Sequence, residues 1–191
     1  VTVSPSDKAV AQHVAAAFGG KPQVRKYHDD EHRNLVDVLS SADRPEPGMT
    51  SYSTLKLSSF PLYQHGRVYP ASVELVGACS TTGERFGNLL ASCAFKIIAE
   101  KAFCAPGLVF EGLGYANIGP HLPHVLFVPP FLWEGDLKTL RLEDRTVAWL
   151  LAVPISQAEM EFADREGAEK LEEVFEREDV DVFDTQRKSA V

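Results

Sequence analysis

The sequence predicts an α+β fold: a twisted, mostly antiparallel or mixed sheet packed against one long buried helix and a set of C-terminal helices. Three observations predict it. From about Glu84 to Phe103 the chain is apolar on more than one helical stripe, the pattern of a helix covered on most sides. Several runs on either side of that helix have strand character and end in Gly, Pro or Asp turn signals. Helix-start signals at Ser4-Pro5 and at Ser156, with Glu159 three residues on, bracket the strands.

Taken in order, Ser4 caps the first helix, Pro5 suits its first position, and Val10, Val14 and Phe18 follow at helical spacing before Gly19-Gly20. Gln23–His28 and Asn34–Ser41 read as strands, separated by the polar bend Asp29-Asp30-Glu31-His32. Arg44-Pro45-Glu46-Pro47-Gly48 is a turn, and Thr50–Leu57 and Ala71–Cys79 are strands. In the latter, Val73, Leu75 and Gly77 alternate with Glu74 and Val76, so at least one sheet face is wet or contacted. Thr82-Gly83-Glu84 opens the long helix, in which Phe86, Leu89, Leu90, Cys93, Phe95, Ile97, Ile98 and Phe103 are core candidates, and Ala105-Pro106-Gly107 ends it. Val125–Pro129 and Thr146–Val153 are further strands, with a weaker one at Leu137–Leu142. After the Ser156 helix, Gly167 is a break, and Ala168, Leu171, Val174 and Phe175 mark a second amphipathic helix. Residues from about Asp184 to Val191 are expected to fray.

A chain of 191 residues suits a single domain with a full core. Disorder is excluded by 11 Phe, 5 Tyr and 2 Trp. The longest stretch without a charged residue, Gly112 to Trp133, carries four prolines and three glycines and cannot span a membrane as a helix. No basic leader with an apolar block opens the chain, and the three cysteines form no C-x-x-C pair, so a cytoplasmic, reduced protein with neither zinc site nor disulfide is expected. The net charge of −8 is unevenly placed, because Ser156–Val191 holds 12 acids and 5 bases. Such a surface argues against nucleic acid and for a basic protein partner. The plainer alternative is a solvated helix face.

Few constellations suggest chemistry. His28-Asp29-Asp30-Glu31-His32 spells H-x-x-E-H, which binds zinc only when both histidines share a helical face beside a glutamate and a third ligand. The flanking residues alternate as strands do, and no third ligand is evident. His121 and His124 flank Pro123, but two loop histidines are too few for a metal. Gly112-Leu113-Gly114 lacks a third glycine, Gly19-Gly20-Lys21-Pro22 ends a helix instead of opening one, and no G-x-S-x-G elbow exists. Neither a catalytic centre nor a cofactor is expected.

Three segments together resemble the suppressor-of-fused domain family: Thr50–Leu57 with Ser58-Ser59-Phe60-Pro61-Leu62 and Ala71–Val76; His124-Val125-Leu126-Phe127-Val128-Pro129-Pro130-Phe131; and Val147–Ser156 leading into Ala158-Glu159-Met160-Glu161-Phe162. The resemblance is clearest over residues 50–171 of a domain taken as 1–191. It implies a mixed α/β protein-binding module without a catalytic centre. Bacterial members are similar to immunity proteins that neutralise a cognate toxin, often encoded beside them, whereas animal members clasp an extended peptide of a transcription factor. This chain has one domain's worth of sequence, which favours the bacterial reading.

The resulting expectation is a cytoplasmic immunity protein for a basic toxin domain. Its candidate contacts are the acids Glu159, Glu161, Glu169, Glu172, Glu173 and Glu176, with Tyr52 and Trp133 as aromatic anchors. The alternatives are a small metal-dependent hydrolase using His28, Glu31, His32, His121 and His124, and a peptide-binding adaptor using a sheet edge.

Overall fold

The structure, a computed structural model, describes residues 4–80 and 85–191. Its elements in chain order are α1 (Pro5–Phe18), β1 (Gln23–His28), β2 (Leu35–Ala42), β3 (Met49–Thr54), β4 (Tyr63–Gln64), β5 (Arg67–Val68), β6 (Ser72–Ser80), α2 (Phe86–Glu100), β7 (Val109–Phe110), β8 (His124–Val128), β9 (Leu140–Arg141), β10 (Thr146–Ile155), α3 (Gln157–Glu166) and α4 (Ala168–Arg177). The main sheet has eight strands in the order β1-β2-β3-β6-β10-β8-β7, with β9 beside β10. Among the described residues only β6 and β10 are parallel, Val147 facing Ser72 through Leu151 facing Val76; the other pairs are antiparallel. The α+β expectation holds, with a mixed sheet.

Alternation along the strands divides the core in two. On one face, Val36, Val38, Val73, Leu75, Val125, Phe127 and Leu150 pack against Phe86, Leu89, Leu90, Cys93, Ala94 and Ile97 of α2. On the other, Leu39, Val76, Leu126, Val128, Leu151 and Val153 pack against α1, α3, α4 and the segment around Trp133. Both central strands are therefore covered on both sides, and the hydrophobic effect acts on nearly their whole length. Gly77 serves the α2 face: a Cβ there would stand 2.2 Å from Cε1 of Phe86, so only hydrogen lets that ring settle on the sheet.

The helix boundaries follow their caps. Ser4 Oγ accepts from the Asp7 N–H at 3.0 Å, with Pro5 in the first turn of α1. Ser156 and Glu159 form a reciprocal capping box at α3. Gly167 adopts φ 101° between α3 and α4, a conformation that side chains rarely take. The expected opening of α2 at Thr82-Gly83-Glu84 lies outside the described residues.

Some expectations need correction. Of the two alternatives for the Glu74 face, wet or contacted, the structure has the contacted one: Glu74 is completely buried in β6, where its carboxyl accepts from Thr54 Oγ1, Ser58 N–H (2.9 Å) and Leu57 N–H (3.3 Å). The segment taken as the end of the Thr50–Leu57 strand is a 3-10 turn at Leu57–Ser59, and those N–H groups are what the carboxylate meets. Phe95 and Ile98 lie off the sheet-facing stripe of α2 and are only half-buried; Phe103 lies beyond the end of α2 at Glu100 and is also half-buried, its ring centroid 5.3 Å from that of Tyr69. The weak strand shrinks to Leu140–Arg141, and the β4–β5 hairpin was not foreseen. The tail does not fray. Thr185 and Arg187 are buried, and the chain from Val180 onward lies across α4 and the end of β10.

Candidate functional site

The tail is held by one buried ion pair. Arg187 donates from Nη1 to Glu159 Oε1 (2.6 Å) and from Nη2 to Glu159 Oε2 (2.9 Å), a bidentate fork. The same guanidinium reaches the Pro154 carbonyl (2.9 Å) and stands over the Phe175 ring, 5.1 Å from its centroid. Glu159 also accepts from the Ser156 and Ala190 N–H groups, so its carboxylate oxygens are saturated. A second clip joins His121 Nε2 to the Thr185 carbonyl at 2.7 Å.

These clips create a groove. Leu126, Val128 and Val153 of the sheet form its floor, Phe175 of α4 one wall, and Val180, Val182 and Phe183 of the tail the other. Its volume is about 540 Å³. Phe131, 49% exposed, stands at the mouth with its ring centroid 5.9 Å from that of Phe183. Every charged residue that lines the groove is an acid: Glu172, Glu176, Asp179 and Asp181.

Helix α4 explains the rim. Ala168, Leu171, Val174 and Phe175 turn inward, which places Glu169, Glu172 and Glu176 together on an outer stripe. The basic residues of α4 are engaged elsewhere, Lys170 with Glu173 and Arg177 with Glu178. Partial burial pushes the Glu172 carboxyl upward, and repulsion from Glu169 and Glu176 adds to the shift. A cation placed there would relieve that repulsion.

Of the predicted contact residues, Glu161, Glu169, Glu173 and Glu176 are exposed on α3 and α4, and Glu172 is half-buried beside them. Glu161 also accepts from Gln157 Nε2 (2.8 Å), which leaves Gln157 Oε1 facing His124 Nε2 (2.8 Å). Glu159 and Trp133 do not belong to the surface. Glu159 is wholly buried in the Arg187 fork, and Trp133 is 3% exposed against Phe18, with rings 5.0 Å apart. Tyr52 lies on the opposite sheet face, half-buried over Phe86, and its hydroxyl is pushed upward by burial and by the neighbouring Cys79. It does not join the acids. The groove aromatics Phe131 and Phe183 were missed. The only local signal is for Phe183, which closes the mixed run Asp179-Val180-Asp181-Val182-Phe183; for Phe131 the sequence offers none.

The histidine clusters lack metal geometry. His28 ends β1, and His32 sits in a bend at φ 53°, so H-x-x-E-H is not helical. Asp29 organises that bend: N–H groups of Asn34 and Arg33 converge on its carboxylate and hold it below its ordinary range against the opposing effect of desolvation. His124 is buried, with Nδ1 accepting from the Gly112 N–H at 3.2 Å. Among the described residues, no three His, Cys, Asp or Glu side chains are grouped so as to hold a metal. All three cysteines are buried, and burial raises the Cys79 thiol to about 11 and those of Cys93 and Cys104 further. No helix among the described residues is long and apolar enough to cross a membrane.

The suppressor-of-fused family model matches residues 33–188, most of the chain and both sheet faces. The chain belongs to the suppressor-of-fused family. It is 40% identical over 190 residues to the immunity protein YqcF of Bacillus subtilis strain 168, covering 99% of each. The fold is shared with a suppressor-of-fused homologue from Neisseria gonorrhoeae (TM-score 0.71, 16% identity, 97% of each chain). It is shared also with a chain of the Sufu–Fu complex (TM-score 0.70, 14% identity, 97% of this chain and 92% of that one). Drosophila Suppressor of Fused matches over 94% of this chain but 45% of its own length, with a TM-score of 0.56 and 14% identity.

Proposed function

We propose that this protein is a cytoplasmic immunity protein that binds and neutralises a cognate toxin domain, acting as a binding module without catalysis. The observation that carries the reading is the α4 stripe of Glu169, Glu172 and Glu176, which among the described residues pairs with no base and is set beside an apolar groove. An acid stripe of this kind attracts and orients a basic partner. The end-to-end likeness to an immunity protein supports toxin neutralisation, and the Sufu–Fu complex supports partner binding as a use of this fold.

Survival measures this directly. A candidate cognate toxin domain is induced in cells with and without this chain. Protection, together with a stoichiometric complex on size exclusion, is expected. Death of cells that contain abundant folded protein would remove the reading.

An open edge favours a second reading. Among the described residues strand β1 pairs on its β2 side alone, and its Val24 is 55% exposed, so an extended peptide could add to the sheet. Val24→Pro separates the two, since it blocks an added strand but leaves α4 intact. Protection that persists in this variant supports the α4 surface.

A further inference from the structure

We infer that the groove between α4 and the C-terminal tail is an anchor pocket for an aromatic or branched aliphatic side chain flanked by Lys or Arg on the partner. The inference rests on the reading of this face as the partner-binding one, and it names what the partner must present. The acids alone would steer a basic surface without selecting any particular part of it.

Three features of the pocket narrow the choice. Its accessible apolar surface is Val182 and Phe183 of the tail with Phe131, over a floor of Leu126, Val128, Val153 and Phe175 that is already nearly wholly buried, so a side chain seated there must be apolar. Its rim carries only acids, Glu172 and Glu176 on one side and Asp179 and Asp181 on the other, so the flanking residues must be cationic. Its mouth is framed by Phe131 and Phe183, with Phe131 half in solvent. A large exposed aromatic gains most from a partner that dries it, and an apolar centre ringed by polar groups is how interface anchors are commonly built.

The pocket is also rigid. One wall is the tail, fixed by the Arg187–Glu159 fork and by His121 on Thr185, while the floor is central sheet. A preformed wall lowers the ordering penalty that an incoming side chain would otherwise face.

The test uses three capped pentapeptides, Lys-Lys-Phe-Lys-Lys, Lys-Lys-Gly-Lys-Lys and Glu-Glu-Phe-Glu-Glu, titrated into the isotope-labelled full chain and followed by NMR. The first should shift the amides of Val153, Val182 and Phe183 and bind at least about tenfold more tightly than the second. The third should leave those amides unmoved. Phe131→Ala, at an exposed position that the fold tolerates, should weaken the first peptide about tenfold or more without changing the second. Equal binding of the Phe and Gly peptides would overturn the inference, as would shifts confined to Glu161 and Glu173 on the outer helix faces. Either result can occur while the chain still protects cells from the toxin, so failure of the pocket and failure of the immunity reading are separable.

Discussion

Arg187 and Glu159, 28 positions apart, form a bidentate ion pair that is almost wholly buried and is the main fastening of the C-terminal tail. Its charges are compensated on several sides by the Pro154 and Lys188 carbonyls and by the Ser156 and Ala190 N–H groups. A buried pair with so many partners is strongly destabilised when one member is removed, because the other charge stays in a low-dielectric site. Arg187→Met should therefore cost about 3–5 kcal/mol. Arg187→Lys should recover only part of this, since an ammonium cannot reproduce the planar fork. Urea unfolding monitored by far-UV circular dichroism measures both. An unchanged midpoint for Arg187→Met would mean that the tail is not fastened in solution.

At the opposite face, Gly77 and Phe86 are matched in the same way. Gly77→Ala forces the Phe86 ring away from the sheet and should destabilise by about 1–3 kcal/mol. The second-site change Phe86→Leu removes the ring edge that the new methyl would strike. The double variant should thus be more stable than the sum of the single losses implies. Strict additivity in a double-mutant cycle would refute the contact.

Sequence periodicity located α2 but not its inner stripe. The helix is apolar nearly all round, so spacing alone made Phe95 and Ile98 as good core candidates as Leu89 and Leu90. Tertiary packing decides among them, and Leu89 and Leu90 are completely buried while Phe95 and Ile98 keep solvent contact. Leu89→Ala and Leu90→Ala should each cost about 2–5 kcal/mol, with Phe95→Ala and Ile98→Ala clearly below them. Thermal unfolding of the four variants ranks them. The same limit applies to the site. Caps, the Gly167 break and the acids of α4 are local signals and could be read from sequence, whereas the Glu159–Arg187 pair and the apposition of Phe131 and Phe183 depend on distant segments meeting. Glu159 shows both sides, because its capping-box role was legible and its burial was not.

Stability should also carry a pH signature from Glu74. Burial raises this carboxyl above its ordinary 4.5, and the hydrogen bonds from Thr54, Ser58 and Leu57 offset burial only in part. The folded state therefore holds the proton more tightly than the unfolded chain does. Its contribution is fully present below pH 4.5 and declines as pH rises from there through the folded-state value. Asp7 acts in the opposite sense. Desolvation opposes its ionisation, but Ser59, Ser4 and Arg145 together hold it below 3.8, so its stabilisation is present above that pH and fades as acid is added. The difference in unfolding free energy between wild type and Glu74→Gln, measured from pH 4.5 upward, isolates the first effect from Glu172 and the histidines. Wild type should lose stability relative to the variant as pH rises. A constant difference would show that Glu74 has no raised pKa.

The α4 acids should act on association more than on stability. Among the described residues Glu169, Glu172 and Glu176 carry no ion pair; Glu169 and Glu176 are exposed and Glu172 is half-buried with like charges beside it, so reversing all three to Lys should leave the melting temperature within a few degrees. Their joint field reaches about 8–10 Å at physiological salt, and steering of this kind multiplies encounter rates by roughly 10–1,000. In stopped-flow mixing with the toxin domain, the triple reversal should slow association by at least about tenfold at low salt. Added salt should slow wild type steeply and bring the two rates together. Dissociation should respond to Phe131→Ala instead, because escape requires breaking the contacts at the apolar centre and the rim charges are solvated before and after. An association rate that is independent of salt and indifferent to the reversal would remove the acid stripe from the binding surface and direct attention to the open edge of β1.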